Sequence, residues 1–203
     1  MELTKTKYQQ TEVGLIPEDW EVKRIGEISD SFSGGTPSTS NSAYYNGNIH
    51  WISSGELNQS RIKTTKEFIT KKGLKYSSAK LVGEGTLLVA MYGATAGVSA
   101  ITEVEGAINQ AVLAILPINN SVEYLFQYFK LNKQYIIDTY TQGGQPNLSG
   151  GLIKSVQIPL PPLPEQKAIA EVLSDVDQLI QVTEQKLAKK RAIKQGAMQK
   201  LLT

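Results

Sequence analysis

The 203-residue chain contains no cysteine and one histidine, His50. Disulfides and thiolate metal sites are therefore excluded, and a lone imidazole without thiolate partners does not make a zinc site. No apolar run approaches the twenty residues of a membrane helix, and the opening Met1-Glu-Leu-Thr-Lys-Thr-Lys-Tyr8 is too polar for a signal peptide. A cytoplasmic setting without membrane contact is expected. Net charge is scarce too: 21 bases against 19 acids leave +2. Any contact with a polyanion must come from local clustering.

The signatures of catalysis are missing as well. No G-x-G-x-x-G follows a strand, and the Asn-Pro-Pro-aromatic run of an adenine methyltransferase is absent. Gly34-Gly-Thr36 and Gly83-Glu-Gly-Thr86 lack the spacing and the lysine of a phosphate loop. Asp19 with Glu21-Val-Lys23 imitates a nuclease metal site, but so short a pattern arises by chance in most proteins. His50, between Ile49 and Trp51, reads as a structural residue or a base-edge contact. No catalytic residue and no cofactor site is predicted.

What the chain does have is a long uninterrupted helix at its end. Leu160-Pro-Pro-Leu-Pro164-Glu165 precedes a stretch free of Gly and Pro until Gly196. Pro164 suits the first helical turn, where a missing N–H costs nothing, and Glu165 faces the positive end of the dipole. If residues 166–202 are all helical, the rod is about 55 Å long at about 1.5 Å per residue. Ile169, Val172, Leu173, Val176, Leu179, Ile180, Leu187 and Ile193 return at spacings of three and four, the pattern of a coiled-coil seam. From Glu165 to Glu184 the rod carries five acids and one base, Lys167; from Lys186 to Lys200 it carries six bases and no acid. Two copies laid antiparallel would set acidic half against basic half, whereas a parallel pair would stack like on like.

Residues 1–160 read as a mixed α and β domain. Trp20 to Ile28 holds a short element, and Ser33 to Asn48 reads as loop with turns at Gly34-Gly35 and Asn46-Gly47. Strands are predicted at Ile49–Ser53, Thr86–Tyr92, Val98–Thr102, Ala111–Leu116 and Lys154–Leu160. Ser121 is placed to cap a helix to about Tyr140, with Val122, Leu125, Phe126, Phe129 and Ile136 inward.

Several stretches carry a resemblance: Ile158 to Ala170, Leu173-Ser-Asp-Val-Asp177 and Lys189 to Thr203 in the helix; Tyr8 to Trp20 and Ser33-Gly-Gly-Thr-Pro-Ser38 near the start; and Gly143 to Gly151. They resemble the spacer and target-recognition domain of specificity (S) subunits of type I restriction–modification systems. Such subunits carry two recognition domains and two spacer helices, and this chain has one of each, as a half-subunit would. The resemblance implies an α+β fold, with a target-recognition domain over 1–160 and a spacer helix over 161–203. It also implies a non-catalytic part that binds double-stranded DNA and docks an adenine methyltransferase (M) subunit and, through it, a restriction (R) subunit. S-adenosylmethionine and ATP belong to those partners.

Three polar stretches supply groups that read base edges or hold phosphates. The first offers Thr36, Ser38, Thr39, Tyr44, Tyr45, Asn46 and Asn48; the third offers Gln142, Gln145 and Asn147. The second contains Arg61, Lys63, Lys66, Lys71, Lys72 and Lys75, six bases in fifteen residues against one acid, Glu67. The expected active form is an antiparallel homodimer on an interrupted palindrome. The alternatives are half of a split heterodimeric S subunit, or a coiled-coil adaptor that binds no DNA.

Overall fold

The computed structural model describes residues 7–141 and 147–202. A hairpin of β1 (Tyr8–Thr11) and β2 (Gly14–Pro17) is followed by β3 (Glu21–Arg24), the single turn α1 (Ile25–Ile28) and β4 (Ser29–Ser33). Then come β5 (Tyr45–Ile52), β6 (Arg61–Ile62), β7 (Phe68–Ile69), α2 (Lys71–Lys75), β8 (Lys80–Val82), β9 (Leu87–Ala90), β10 (Ser99–Thr102), β11 (Gly106–Ile108) and β12 (Val112–Pro117). The chain closes with α3 (Val122–Tyr140), α4 (Gly150–Ser155), β13 (Gln157–Leu160) and α5 (Leu163–Leu201).

Two mixed sheets stack on one another. One has the order β4-β12-β9-β10-β6 and the other β7-β5-β11-β8. The strand alternation explains why Leu87-Leu-Val-Ala90 is apolar throughout. Leu87 and Val89 face α3, α4 and the start of α5. Leu88 and Ala90, with Val112 of the same sheet, face Ile52 and Ile108 of the second sheet and Leu57 beside it. A strand covered on both faces has no polar side to show, so its period of two is hidden in the sequence. Each such Leu or Val, fully buried, contributes about 1.5–3 kcal/mol. Helix α3 supplies the opposite wall through Tyr124, Leu125, Phe126, Phe129 and Ile136, and Ser121 Oγ accepts the Tyr124 N–H to start it.

The domain closes on itself where α5 begins. Strand β13 pairs antiparallel with β3, setting Leu160 opposite Glu21. Buried Gln166 then accepts the Ser121 N–H at 2.9 Å and donates to Asn120 and to the Pro161 carbonyl. The Trp20 indole donates to Glu165 at 3.2 Å. Ala170 is buried and Ile169 packs on the main core. Every residue from Gln178 to Leu202 is exposed.

Three expectations are corrected. The strand predicted at Ile49 begins at Tyr45, because Asn46 (φ 57°) opens a bulge in which both Tyr45 and Ile49 oppose Ile69. Gly34-Gly35 is not a turn: its N–H groups bond the carbonyls of Asn109 and Ile108. A Cβ on Gly34 would run into the Ile108 carbonyl, so the glycine is there for close approach. Lys154 and Ser155 belong to α4, which Ser149 caps through the Leu152 N–H.

Candidate nucleic-acid interface

The first polar stretch meets Lys71, Lys72 and Lys75 of the second at α2. Thr70 Oγ1 accepts the Gly73 N–H and donates to the Ala43 carbonyl at 2.8 Å, while the Thr70 N–H reaches the Tyr44 carbonyl at 2.9 Å. This lays α2 against the 3₁₀ turn Ser42–Tyr44. Gly73 is needed at the contact, since a side chain there would meet the Tyr44 backbone. The rings of Tyr44 and Tyr76 stack at 6.5 Å with an interplanar angle of 19°. Lys75 lies over the Tyr76 ring at 5.5 Å. Lys71 and Lys72 are exposed beside them. Lys71 to Lys80 holds four lysines and no acid, and Lys80 lies over Phe32 at 5.2 Å. The result is an aromatic platform edged by cations, a surface suited to phosphate and base contact.

The same loop also contains residues that support it. Tyr45 is half-buried and donates from its hydroxyl to the Pro37 carbonyl at 2.7 Å; burial first, and the charge of Glu67 second, push its pKa up. Thr36 donates to the Gln110 side chain. Ser38 and Ser40 share a hydrogen bond at 2.9 Å, and Ser38, Thr39, Asn46 and Asn48 are exposed.

The third stretch reaches this edge by a chain of backbone bonds. Gly34 N–H bonds Asn109, Met91 N–H bonds Ala111, and Leu148 N–H bonds Met91. Asn147, exposed, bridges Tyr92, which is itself 41% exposed. Gln142 and Gln145 lie outside the described residues.

Arg61 and Lys63 belong elsewhere. The Arg61 guanidinium is clasped by both oxygens of Glu123, at 2.7 and 2.6 Å, and lies 5.4 Å from the Phe126 ring centre. That bond to Glu123 raises the Arg61 pKa further. Lys63 lies 3.6 Å from Glu103. Both line a groove between α3 and α5, together with Lys130, Asp177 and Glu184. Arg61 is thus a structural cation here and not a free phosphate ligand. Lys66 keeps an exposed side chain, and its backbone N–H donates to buried Glu56. His50 is engaged internally: Nδ1 lies 3.1 Å from Thr65 Oγ1, and the ring packs on Phe68. Glu21 and Lys23 pair with each other at 3.1 Å on β3.

Sequence reasoning passed over Tyr76, Tyr92, Gln110 and Lys80. The signal for Tyr76 was its place directly after Lys75 in a run of bases. Gln110 and Tyr92 carry no local signal, because long-range bonds bring them to the edge.

The predicted seam divides at the domain boundary. Ile169 is spent on the chain's own core, whereas Val172, Leu173, Val176, Leu179, Ile180, Leu187 and Ile193 are exposed. Asp177 ties the helix to α3 by accepting from Lys130 Nζ at 2.8 Å and Gln127 Nε2 at 3.0 Å. The bonds from Gln127 and then Lys130 hold its carboxyl below the usual range. Among the described residues no group of His, Cys, Asp and Glu could hold a metal ion, and no helix is long and apolar enough to cross a membrane.

Residues 17–190 match the family described as the type I restriction modification DNA specificity domain. The type I restriction enzyme MjaIX specificity subunit of Methanocaldococcus jannaschii is 36% identical over 183 residues, 87% of this chain and 42% of that one. The MjaVIII specificity subunit of the same organism is 29% identical, over 93% of this chain and 43% of that one. The crystal structure of the HsdS subunit from Thermoanaerobacter tengcongensis superposes with a TM-score of 0.65 at 20% identity, over 88% of this chain and 42% of that one. The chain spans less than half the length of each of these relatives.

Proposed function

Because the chain belongs to the type I restriction modification DNA specificity family, we propose that it is a half-length specificity subunit whose single domain reads one half of a bipartite DNA target. In this reading residues 1–160 are the target-recognition domain and 161–203 the spacer helix. Lys71, Lys72 and Lys75 hold phosphates. Tyr44, Asn46, Asn48 and Asn147, with Tyr76 and Gln110 beside them, meet the bases. The observation that carries the reading is the cluster of exposed Lys71, Lys72 and Lys75 on the helix that bears the stacked Tyr44–Tyr76 pair, with Lys75 over the Tyr76 ring.

Two copies joined by antiparallel α5 helices would present two such platforms related by a two-fold axis, and a two-fold reader selects an inverted repeat. The exposed seam and the split of acids from bases along α5 support this pairing over a parallel one. The adenine methyltransferase subunits would dock on this frame and bring S-adenosylmethionine, and a restriction subunit would bring ATP. The chain's own part is to orient and not to react. Target methylation by the other subunits in the absence of this chain would sink the proposal.

The test is duplex binding as a function of salt. Each phosphate contact contributes about −0.9 to the slope of log affinity on log salt for B-DNA. Lys71→Ala with Lys72→Ala should weaken binding to all sequences alike and flatten that slope by about two. An unchanged slope would remove α2 from the interface.

A further inference from the structure

Gln110, in the loop between β11 and β12, is a neutral, exposed side chain between the lysine platform and Asn147. The β8–β11 register sets Lys80 opposite Ile108. Continuing that antiparallel line by two residues brings Ser78 level with Gln110, and Ser78 is two positions from Tyr76 of the platform. Gly35, whose N–H bonds the Ile108 carbonyl, lies so close to Ser78 that a Cβ on it would meet the Ser78 hydroxyl. On the other side, the Ala111 carbonyl accepts the Met91 N–H and the Met91 carbonyl accepts the Leu148 N–H, next to Asn147. An amide held between cations and a second amide is placed for base edges when the lysines hold the phosphates.

The support of this amide is fixed from both sides. Asn109 is buried; its side chain accepts the Ala111 N–H at 3.0 Å, and its own N–H bonds the Ile52 carbonyl. Thr36 is pinned before and after, by the Gly35 bond to Ile108 and by the Tyr45 hydroxyl on the Pro37 carbonyl. The ring of Pro37 also restricts Thr36 to extended backbone. From this seat Thr36 Oγ1 donates to Gln110 Oε1. That bond has a direction. A hydroxyl proton goes to the oxygen end of the amide, so the Gln110 NH₂ turns away from Thr36 with two N–H groups to give. An unconstrained glutamine offers one acceptor and one donor, and so suits the N6–H₂ and N7 of adenine. A glutamine whose oxygen already holds a proton from Thr36 offers donors first, and suits edges made of acceptors.

We propose that Gln110 reads one base pair of the half-site as a hydrogen-bond donor, and that Thr36 is the positioning residue that sets its polarity. The preferred base is guanine, whose O6 and N7 are both acceptors in the major groove. Thymine, with O4 alone, follows, and cytosine, which shows only its N4–H₂ donor there, is rejected. This rests on the reading of the domain as a DNA reader and adds the chemistry of recognition at one position.

The test is selection from random duplexes by the full chain and by four variants. Gln110→Glu replaces the donors by acceptors and should exchange guanine for cytosine at one position of each half-site, with about tenfold discrimination there and the other positions unchanged. Gln110→Leu, which adds no charge, should leave that position without preference. Thr36→Val lets the amide turn and should admit adenine beside guanine at the same position, whereas Thr36→Ser keeps the hydroxyl and should keep guanine. A merely structural role would lower affinity for every sequence and leave the preference at that position in place; that outcome, or identical preferences for the unaltered chain and both Gln110 variants, would overturn the assignment and leave the DNA reading intact. Cytosine as the unaltered chain's choice at the position that Gln110 controls would overturn the donor polarity. A Thr36→Val preference equal to that of the unaltered chain would overturn the part given to Thr36. An unaltered chain that selects no sequence would overturn the DNA reading and this inference together.

Discussion

At the scale of single residues, the cations divide into two kinds that sequence alone does not separate. Arg61 and Lys71 both stand in one basic stretch, but Arg61 has a carboxylate partner 62 positions away and Lys71 stands exposed without one among the described residues. Arg61→Ala should therefore cost the fold about 1 kcal/mol, the scale of a well-aligned, partly exposed pair. It should leave the salt slope of DNA binding unchanged. A urea titration beside a salt titration checks both halves of that statement, and a flattened slope would return Arg61 to the interface. Gly34 belongs to the same scale. Gly34→Ala drives a methyl group into the Ile108 carbonyl, and overpacking of this kind costs about 1–3 kcal/mol. A lowered urea midpoint is the expected result; a midpoint equal to wild type would mean that the two strands part freely there. Residue types announced the platform only halfway. The lysines and tyrosines were legible as chemistry, while the partner that neutralises one cation and the close approach that demands one glycine are long-range facts.

At the scale of elements, legibility follows length. Helices α3 and α5 and strands β9 and β12 were each long or apolar enough to show a period or a run, and the Ser121 cap was placed correctly. Strands β6, β7, β8 and β11 have two or three residues each, too few for any period, and exist because a neighbour supplies their hydrogen bonds. Helix α4 opens on Gly150-Gly151, which argues against helix until Ser149 caps it. Element geometry also yields a pH prediction. The Asp177 carboxyl is held below its ordinary value by Gln127 and Lys130. A depressed folded pKa stabilises above the unfolded value near 4 and is lost as pH falls through the folded one. The clamp of α5 on α3 is thus complete at neutral pH and loosens only in acid below about pH 4. Spin labels on cysteines placed at Lys72 and Lys189 should report a narrow distance distribution at neutral pH. Acid, or Asp177→Ala at neutral pH, should broaden it. A distribution indifferent to both would assign the helix direction to Gln166 and Ala170 alone.

At the scale of the whole molecule, the proposed reading gives these residues one recognition domain on one rod, which would cover one half of a bipartite site. The rod exposes an apolar seam, and exposed apolar surface of that extent marks an interaction face. In the proposed dimer, pairing would cover that seam and make the second half-site contact intramolecular. The separation of the two domains would then set the spacing of the half-sites. Two-fold readers place their half-site centres about one helical turn of B-DNA, or a multiple of it, apart. Selection from random duplexes by the dimeric chain should therefore return inverted repeats whose centres are separated by about one helical turn, and changing that gap by half a turn should abolish binding, since it turns one half-site to the far face of the duplex. Selection of a direct repeat or of an asymmetric pair would contradict the two-fold frame itself.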